Sequence, residues 1–216
     1  MDGRVAVPGE RVTPHSRIAL HGRPVRRRRH KAGAAARRVL LYNKPEGEIC
    51  TRSDPRGRPT VFRRLPRLKA QRWIAVGRLD VNTSGLLLFT TDGPLANQLL
   101  HPALGLEREY LCRVYGEVTE QDMARLERGM VIDGAALRFS SIRRRRGEGR
   151  NTWFAVTLSA GRYREVRRLW QAVGCQVSRL NRIRFGSLRI PRGLAPGSWT
   201  ELSAAQIARL IGGGGD

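Results

Sequence analysis

Two short apolar runs, Trp73 to Val76 and Leu86 to Phe89, flank one polar loop, and no other stretch constrains the fold as much. Both runs are strand-length and predict buried strands. Between them sit Arg78, Asp80, Asn82, Thr83 and Ser84, with Gly77 and Gly85 at the ends. A carboxylate held between two core strands has a fixed position and partial hydration, which is how a protein prepares a nucleophile or a base. The bland alternative is an Asp80 that hydrogen-bonds its own turn beside a solvated Arg78.

The chain has 216 residues, enough for one ordinary domain with an appendage and for a sizeable core. Its net charge of +23 and pI near 11.7 exceed what solubility needs and point to a polyanionic partner. Nucleic acid is the first expectation and an acidic membrane surface the second. The N-terminus shows no signal-peptide pattern, and no apolar run reaches the ~20 residues of a membrane helix, so a soluble, cytoplasmic protein is expected. Cys50, Cys112 and Cys175 are scattered, without a CxxC pair, and predict reduced thiols. His15, His21, His30 and His101 have no ligand spacing, and neither a phosphate loop nor a dinucleotide fingerprint is present. No metal and no cofactor are expected.

Residues 1–38 carry eleven Lys or Arg against two acidic residues. Within 1–25, Val5, Val7, Val12, Ile18, Leu20 and Val25 suggest two or three small strands. Residues 26–38 form a basic linker suited to phosphate contact. The globular domain, 39–211, begins with a strand from Val39 that stops at Pro45, and Glu48 to Thr51 is its expected partner. Lys44 in this strand fits a surface cation and a group near a substrate about equally.

Pro94 suits the start of a helix that ends at His101-Pro102. Glu107 to Gly116 predicts a strand with Tyr110, Cys112 and Val114 on one face. Thr119 and Asp122 approximate a capping box before Met123, Leu126 and Met130. Val131 to Ile142 and Thr152 to Ser159 predict strands joined by an arginine-rich hairpin tip, in which Arg143, Arg144, Arg145 and Arg146 would grip phosphate. From Gly161 to Gly174, Val166, Leu169, Trp170 and Val173 form the stripe of an amphipathic helix. A surface helix accounts for Arg164 and Arg168 without any function. Gln176 to Ile190 predicts a long strand or hairpin, and Ser203 to Ile211 a capped helix before a glycine-rich tail, 212–216. Together these predict an α+β domain around a mostly antiparallel mixed sheet, with four peripheral helices on its outer side and RNA on a face or cleft.

The string Gly77-Arg-Leu-Asp80, then Thr83-Ser-Gly-Leu-Leu-Leu-Phe-Thr-Thr-Asp-Gly93, resembles the catalytic motif of bacterial ribosomal RNA pseudouridine synthases. Asn43-Lys-Pro45 with Gly47, continuing to Pro59-Thr-Val-Phe62, resembles a second motif of that family. Gly161-Arg162 to Val166-Arg167 resembles the element whose arginine pairs with the catalytic aspartate. The arm is similar to the last strands of the family's small RNA-binding module, without the two helices that precede them there, so either a misplaced start or a truncated remnant is expected. The resemblance spans nearly all of 39–211 and is similar to the branch that acts on large-subunit RNA.

The resemblance implies that Asp80 is the catalytic aspartate and that Tyr110 stacks on the target uracil. Arg167 would pair with Asp80, and Arg78 would fill the gap left by the extruded base. Lys44 and Arg143 to Arg146 would contact RNA. The partner would be ribosomal RNA, 23S in particular, and the enzyme a monomer that needs no cofactor. Asp80 could attack C1′, add to the uracil ring or remove a proton from the sugar. The rival expectation, a non-catalytic RNA-binding or ribosome-assembly protein, accounts for the charge but not for Asp80, Tyr110 and Arg167 in register.

Overall fold

A computed structural model of the chain describes residues 5, 16–25, 37–148 and 150–212, in two compact units divided after Ala36. In the first unit, β1 (Ala19–Leu20) and β2 (Arg23–Pro24) pair antiparallel around His21-Gly22. Both turn residues have positive φ, as a tight two-residue hairpin demands. The earlier strands expected in the arm, the basic linker and the glycine tail fall largely outside the described residues.

The second unit runs β3 (Val39–Lys44), β4 (Ile74–Val76), β5 (Ser84–Thr90), α1 (Gly93–Leu100), β6 (Arg108–Tyr115) and α2 (Glu120–Arg128). It continues with β7 (Met130–Ile132), β8 (Ala135–Leu137), β9 (Ser141–Glu148), β10 (Asn151–Leu158) and α3 (Glu165–Ala172). β11 (Gln176–Phe185), β12 (Leu188–Arg189), β13 (Trp199–Glu201) and α4 (Ala204–Ile211) complete it. Capping boxes open α2 (Thr119, Asp122) and α4 (Ser203, Gln206) as the sequence predicts, and at α1 Asp92, which the sequence reading did not single out, accepts from Leu95 N.

One nine-stranded sheet has the order β13-β3-β5-β11-β6-β10-β9, with β4 on β5 and β12 on β11. All its pairings are antiparallel except β5 with β11. β3 covers one edge of β5 throughout, but the other edge is divided. β11 takes Ser84 and Gly85, and β4 takes Leu88 to Thr90. The loop 77–83 therefore leaves the sheet at the seam between its two halves. At the seam Gly85 has φ +105°, and a Cβ there would overlap the Arg182 backbone and the Asn181 side chain.

The apolar runs are buried on both faces. Leu40, Tyr42, Leu87 and Phe89 pack with Leu126 of α2 and Val166, Leu169 and Trp170 of α3. Val39, Leu41, Leu86 and Leu88 pack with Leu95 and Leu99 of α1 and with Ile207 and Leu210 of α4. Helices thus lie on both faces, not on one outer side, because a strand with no polar alternation needs cover above and below. Three local expectations also change. Glu48 to Thr51 does not pair with β3, whose edges are taken by β5 and β13; Ile49 makes only one bridge, to Thr60. The segment 131–142 breaks at Asp133-Gly134, both at positive φ, into the small β7–β8 hairpin and the start of β9. The third helix begins only at Glu165, because Arg164 is left-handed at φ 48°.

The loop that leaves the seam is held by its backbone. Lys44 Nζ donates to the carbonyls of Thr83 (2.7 Å), Asp80 (3.1 Å) and Val81 (3.5 Å), and to that of Pro45 (3.0 Å). Gly47 N donates to Val81 O, Arg167 Nη2 to Asn82 O (2.8 Å), and Cys50 Sγ to Leu79 O (3.3 Å). Every carbonyl from Leu79 to Thr83 therefore has a donor. Lys44 is fully buried, and burial pushes its pKa down from the usual lysine range. This corrects the expectation that Lys44 touches RNA: no surface of the residue is exposed, and its ammonium is spent on main-chain oxygens.

Replacing Lys44 by Met leaves those carbonyls with a missing donor in a dry interior, a loss of about 2–4 kcal/mol. Denaturant unfolding of Lys44→Met checks this, and a wild-type midpoint would contradict it. Gly85→Ala forces a side chain into the seam at a positive φ, at a cost of about 2–4 kcal/mol. Its melting temperature should fall by about 5–10 °C in calorimetry; an unchanged value would mean that the seam opens freely.

Candidate active site

Asp80 lines a cleft of about 450 Å³ at the seam, together with Arg78, Arg108, Tyr110, Arg164 and Arg182. Its side chain is 32% exposed. The turn is closed by the main chain, Thr83 N to Asp80 O at 3.1 Å, and no hydrogen bond among the described residues uses the Asp80 carboxylate. The alternative in which Asp80 merely completes its own turn is therefore not what the fold adopts. Glu165 also lines the cleft but is 5% exposed and accepts from Arg162 N at 3.0 Å. Asp80 is the carboxylate open to a ligand.

Tyr110 stands on β6 on the face of Cys112 and Val114, 8% exposed and directly opposite Arg182 of β11. Arg78 is exposed and shares the cleft.

The pairing expected of Arg167 falls to another residue. Arg164 Nη1 lies 3.8 Å from Asp80 Oδ2, because the left-handed residue before α3 carries its guanidinium to the loop. Arg167, inside α3, donates to Val177 O (2.7 Å) and Asn82 O (2.8 Å). Burial, with the Arg164 charge adding to it, pushes the Arg167 pKa down, while Asp80 pulls it up. Arg167 thus feels the carboxylate but binds the loop's backbone. Trp170 anchors α3 against Phe154 and Phe139, with ring centroids 4.8 and 5.8 Å away, which fixes where Arg167 reaches.

Arg143 to Arg146 are not a hairpin tip and do not line this cleft. They lie in β9 at the sheet edge, since the strand continues through them to Glu148. All four are exposed, but Arg144 is also tied to Val118 O (2.6 Å) and lies over the Phe154 ring. Arg143 lines a second cleft with Glu107, Glu109 and Arg184.

Sequence reasoning passed over Arg164, Arg108 and Arg182. Arg108 had a usable signal: it stands two residues before Tyr110, so strand alternation puts an arginine on a buried face. Arg182 has the same relation to Leu180. Arg164 had none, because a left-handed arginine cannot be told from a helical one by its neighbours. No group of three or more His, Cys, Asp or Glu among the described residues is placed to hold a metal, and no helix there is long and apolar enough to cross a membrane.

Residues 38–172 match the RNA pseudouridylate synthase family. The chain is 54% identical over 214 residues to ribosomal large subunit pseudouridine synthase B of Salmonella typhimurium, across 98% of this chain and 73% of that one. It is 51% identical over 208 residues to the Pseudomonas aeruginosa protein of the same name, across 96% of this chain and 53% of that one. A crystal structure of a pseudouridylate synthase superimposes with a TM-score of 0.70 at 27% identity, covering 81% of this chain and 74% of that one. The family match takes in the loop 77–83 and the strands β4 and β5 on either side of it, and the chain belongs to the RNA pseudouridylate synthase family.

Proposed function

We propose that this pseudouridine synthase converts a uridine of large-subunit (23S) ribosomal RNA to pseudouridine, working as a monomer with Asp80 as its catalytic residue. The observation that carries this reading is a carboxylate whose loop backbone is fully clamped while its side chain stays open to a cleft beside Tyr110. The names of its relatives supply the class of RNA. The charge of +23 suits a polyanionic substrate.

A uridine inside folded RNA cannot present its glycosidic carbon to a protein, so the base leaves the stack and enters the cleft. Tyr110 holds the flipped uracil by its face, and Arg78 fills the vacated place in the stack. The bond from N1 to C1′ breaks, the uracil turns, and C5 bonds to C1′. C5 gives up its proton and N1 gains one, so product and substrate have the same composition and no co-reactant is consumed. Asp80 supplies the carboxylate for these bond changes. Arg164 faces it across 3.8 Å, and Arg167 holds its loop as a positioning residue.

Chemical mapping of an unmodified 23S transcript after incubation with the enzyme should reveal a new pseudouridine. Asp80→Asn should lower its formation by about a thousandfold or more while keeping the melting temperature and RNA affinity. Conversion confined to small-subunit RNA would reassign the substrate, and a fully active Asp80→Asn enzyme would remove Asp80 from the mechanism. Binding should weaken steeply with salt. Replacing Arg143, Arg145 and Arg146 together by Gln should flatten the plot of log affinity against log salt by about 2, leaving the single-turnover rate at saturation unchanged. An unaltered slope would return that strand edge to solvent.

A further inference from the structure

Two guanidinium groups in the cleft wall have no carboxylate within ion-pair distance among the described residues. Arg182 is 4% exposed; its Nε donates to Leu86 O at 2.7 Å, and its Nη2 is buried without a hydrogen-bond partner. Arg108 is 9% exposed and directs Nη1 at the carbonyls of Leu106 and Ser159, each at 2.9 Å. The β6–β11 register makes Tyr110 the direct neighbour of Arg182 and Phe185 that of Arg108. Both guanidiniums lie over the Phe185 ring, at 5.1 Å for Arg108 and 5.4 Å for Arg182. Burial, reinforced by the charge of Arg182, pushes the Arg108 pKa below the usual arginine range. Glu107 pairs with Arg184 and Glu109 with Arg184 and Arg189, while Glu165, buried in the same cleft, attracts Arg108 from beyond ion-pair distance and accepts from Arg162 N.

Two like charges taken out of water beside one ring are costly unless something of opposite charge completes them. Main-chain carbonyls account for Arg108 Nη1 and Arg182 Nε, but they leave Arg182 Nη2 buried without a partner beside a second cation. A phosphodiester has the charge and the acceptor oxygens that a guanidinium fork matches. We propose that Arg182, together with Arg108, receives a backbone phosphate flanking the uridine that Tyr110 holds, resting on the reading of this cleft as the RNA site. That phosphate reaches the cleft only once the nucleotide has left its stack. The two cations therefore favour the extruded state over the stacked one, and their differential contact is what shifts the equilibrium. Arg182 is a positioning residue in this scheme and takes no part in the bond changes.

The test uses a hairpin from large-subunit RNA that carries the uridine the wild-type enzyme converts, intact or with one neutral methylphosphonate linkage on the 5′ or the 3′ side of it. Equilibrium binding is read by fluorescence anisotropy, which needs no turnover. One of the two neutral linkages should weaken wild-type binding by about tenfold or more, and Arg182→Gln should weaken binding of the intact hairpin by a similar factor. The two changes together should cost no more than either alone, and Arg182→Lys should recover part of the loss. Losses that multiply at both linkages, or wild-type affinity in Arg182→Gln, overturn the contact. If Arg182→Gln fails to fold, equal wild-type affinity for all three hairpins overturns it just as well. Should the wild-type enzyme convert no uridine at all, the proposed function fails by itself, and the same binding comparison on the most tightly bound hairpin still decides the phosphate contact.

Discussion

The site rests on one buried ammonium. Lys44 leaves the end of a core strand and meets the carbonyls of Asp80, Val81 and Thr83, while Arg167 reaches Asn82 from α3. Burial disfavours the charge on Lys44, and four main-chain oxygens favour it. Isolated in an apolar interior, such a cation would be lost as a proton or expelled to water. Tied to four carbonyls at once, of which those of Asp80 and Val81 also accept from a backbone amide, it cements β3 to the loop. The loop then needs nothing from the Asp80 side chain, which is left to the cleft.

The sheet makes such a grip possible. Because β5 shares one edge between β11 and β4, the strands part at Gly85, and the loop emerges where core lies on both sides. A reactive group at that point is half-hydrated and held by rigid elements, which is the combination that charge-dependent chemistry requires. The surrounding arginines divide the work. Arg164 faces the carboxylate, Arg167 binds the loop's backbone, and Arg108 and Arg182 sit in the wall with no carboxylate at ion-pair distance among the described residues, Arg182 Nη2 having no hydrogen-bond partner. One residue type thus has three different jobs, set by what each guanidinium meets.

Much of this was legible in the residues. The two apolar runs gave β4 and β5 and the loop between them, and strand alternation put Tyr110 on the buried face beside Cys112 and Val114. Pro94 and the caps Thr119 and Ser203 marked three helix starts, because these are local signals that a few consecutive residues decide. What was not legible depends on contacts distant in sequence. Lys44 looks like any strand-end cation until β3 lies beside the loop 36 residues on. The arginine run looks like a hairpin tip, yet β9 runs straight through it, since charge alone does not say where a strand turns. The choice between Arg164 and Arg167 turned on one left-handed backbone angle that no periodicity encodes.

The central claim is that the Asp80 loop is organised before RNA arrives. Native-state hydrogen exchange at the Gly47 and Thr83 amides tests it most directly, since these donate to Val81 O and Asp80 O within the clamp. In the free enzyme both should exchange as slowly as the core amides of β3 and β5 and respond to denaturant as global unfolding does. Fast, denaturant-independent exchange at either amide, with β3 and β5 still protected, would show a loop that opens on its own and would contradict the account.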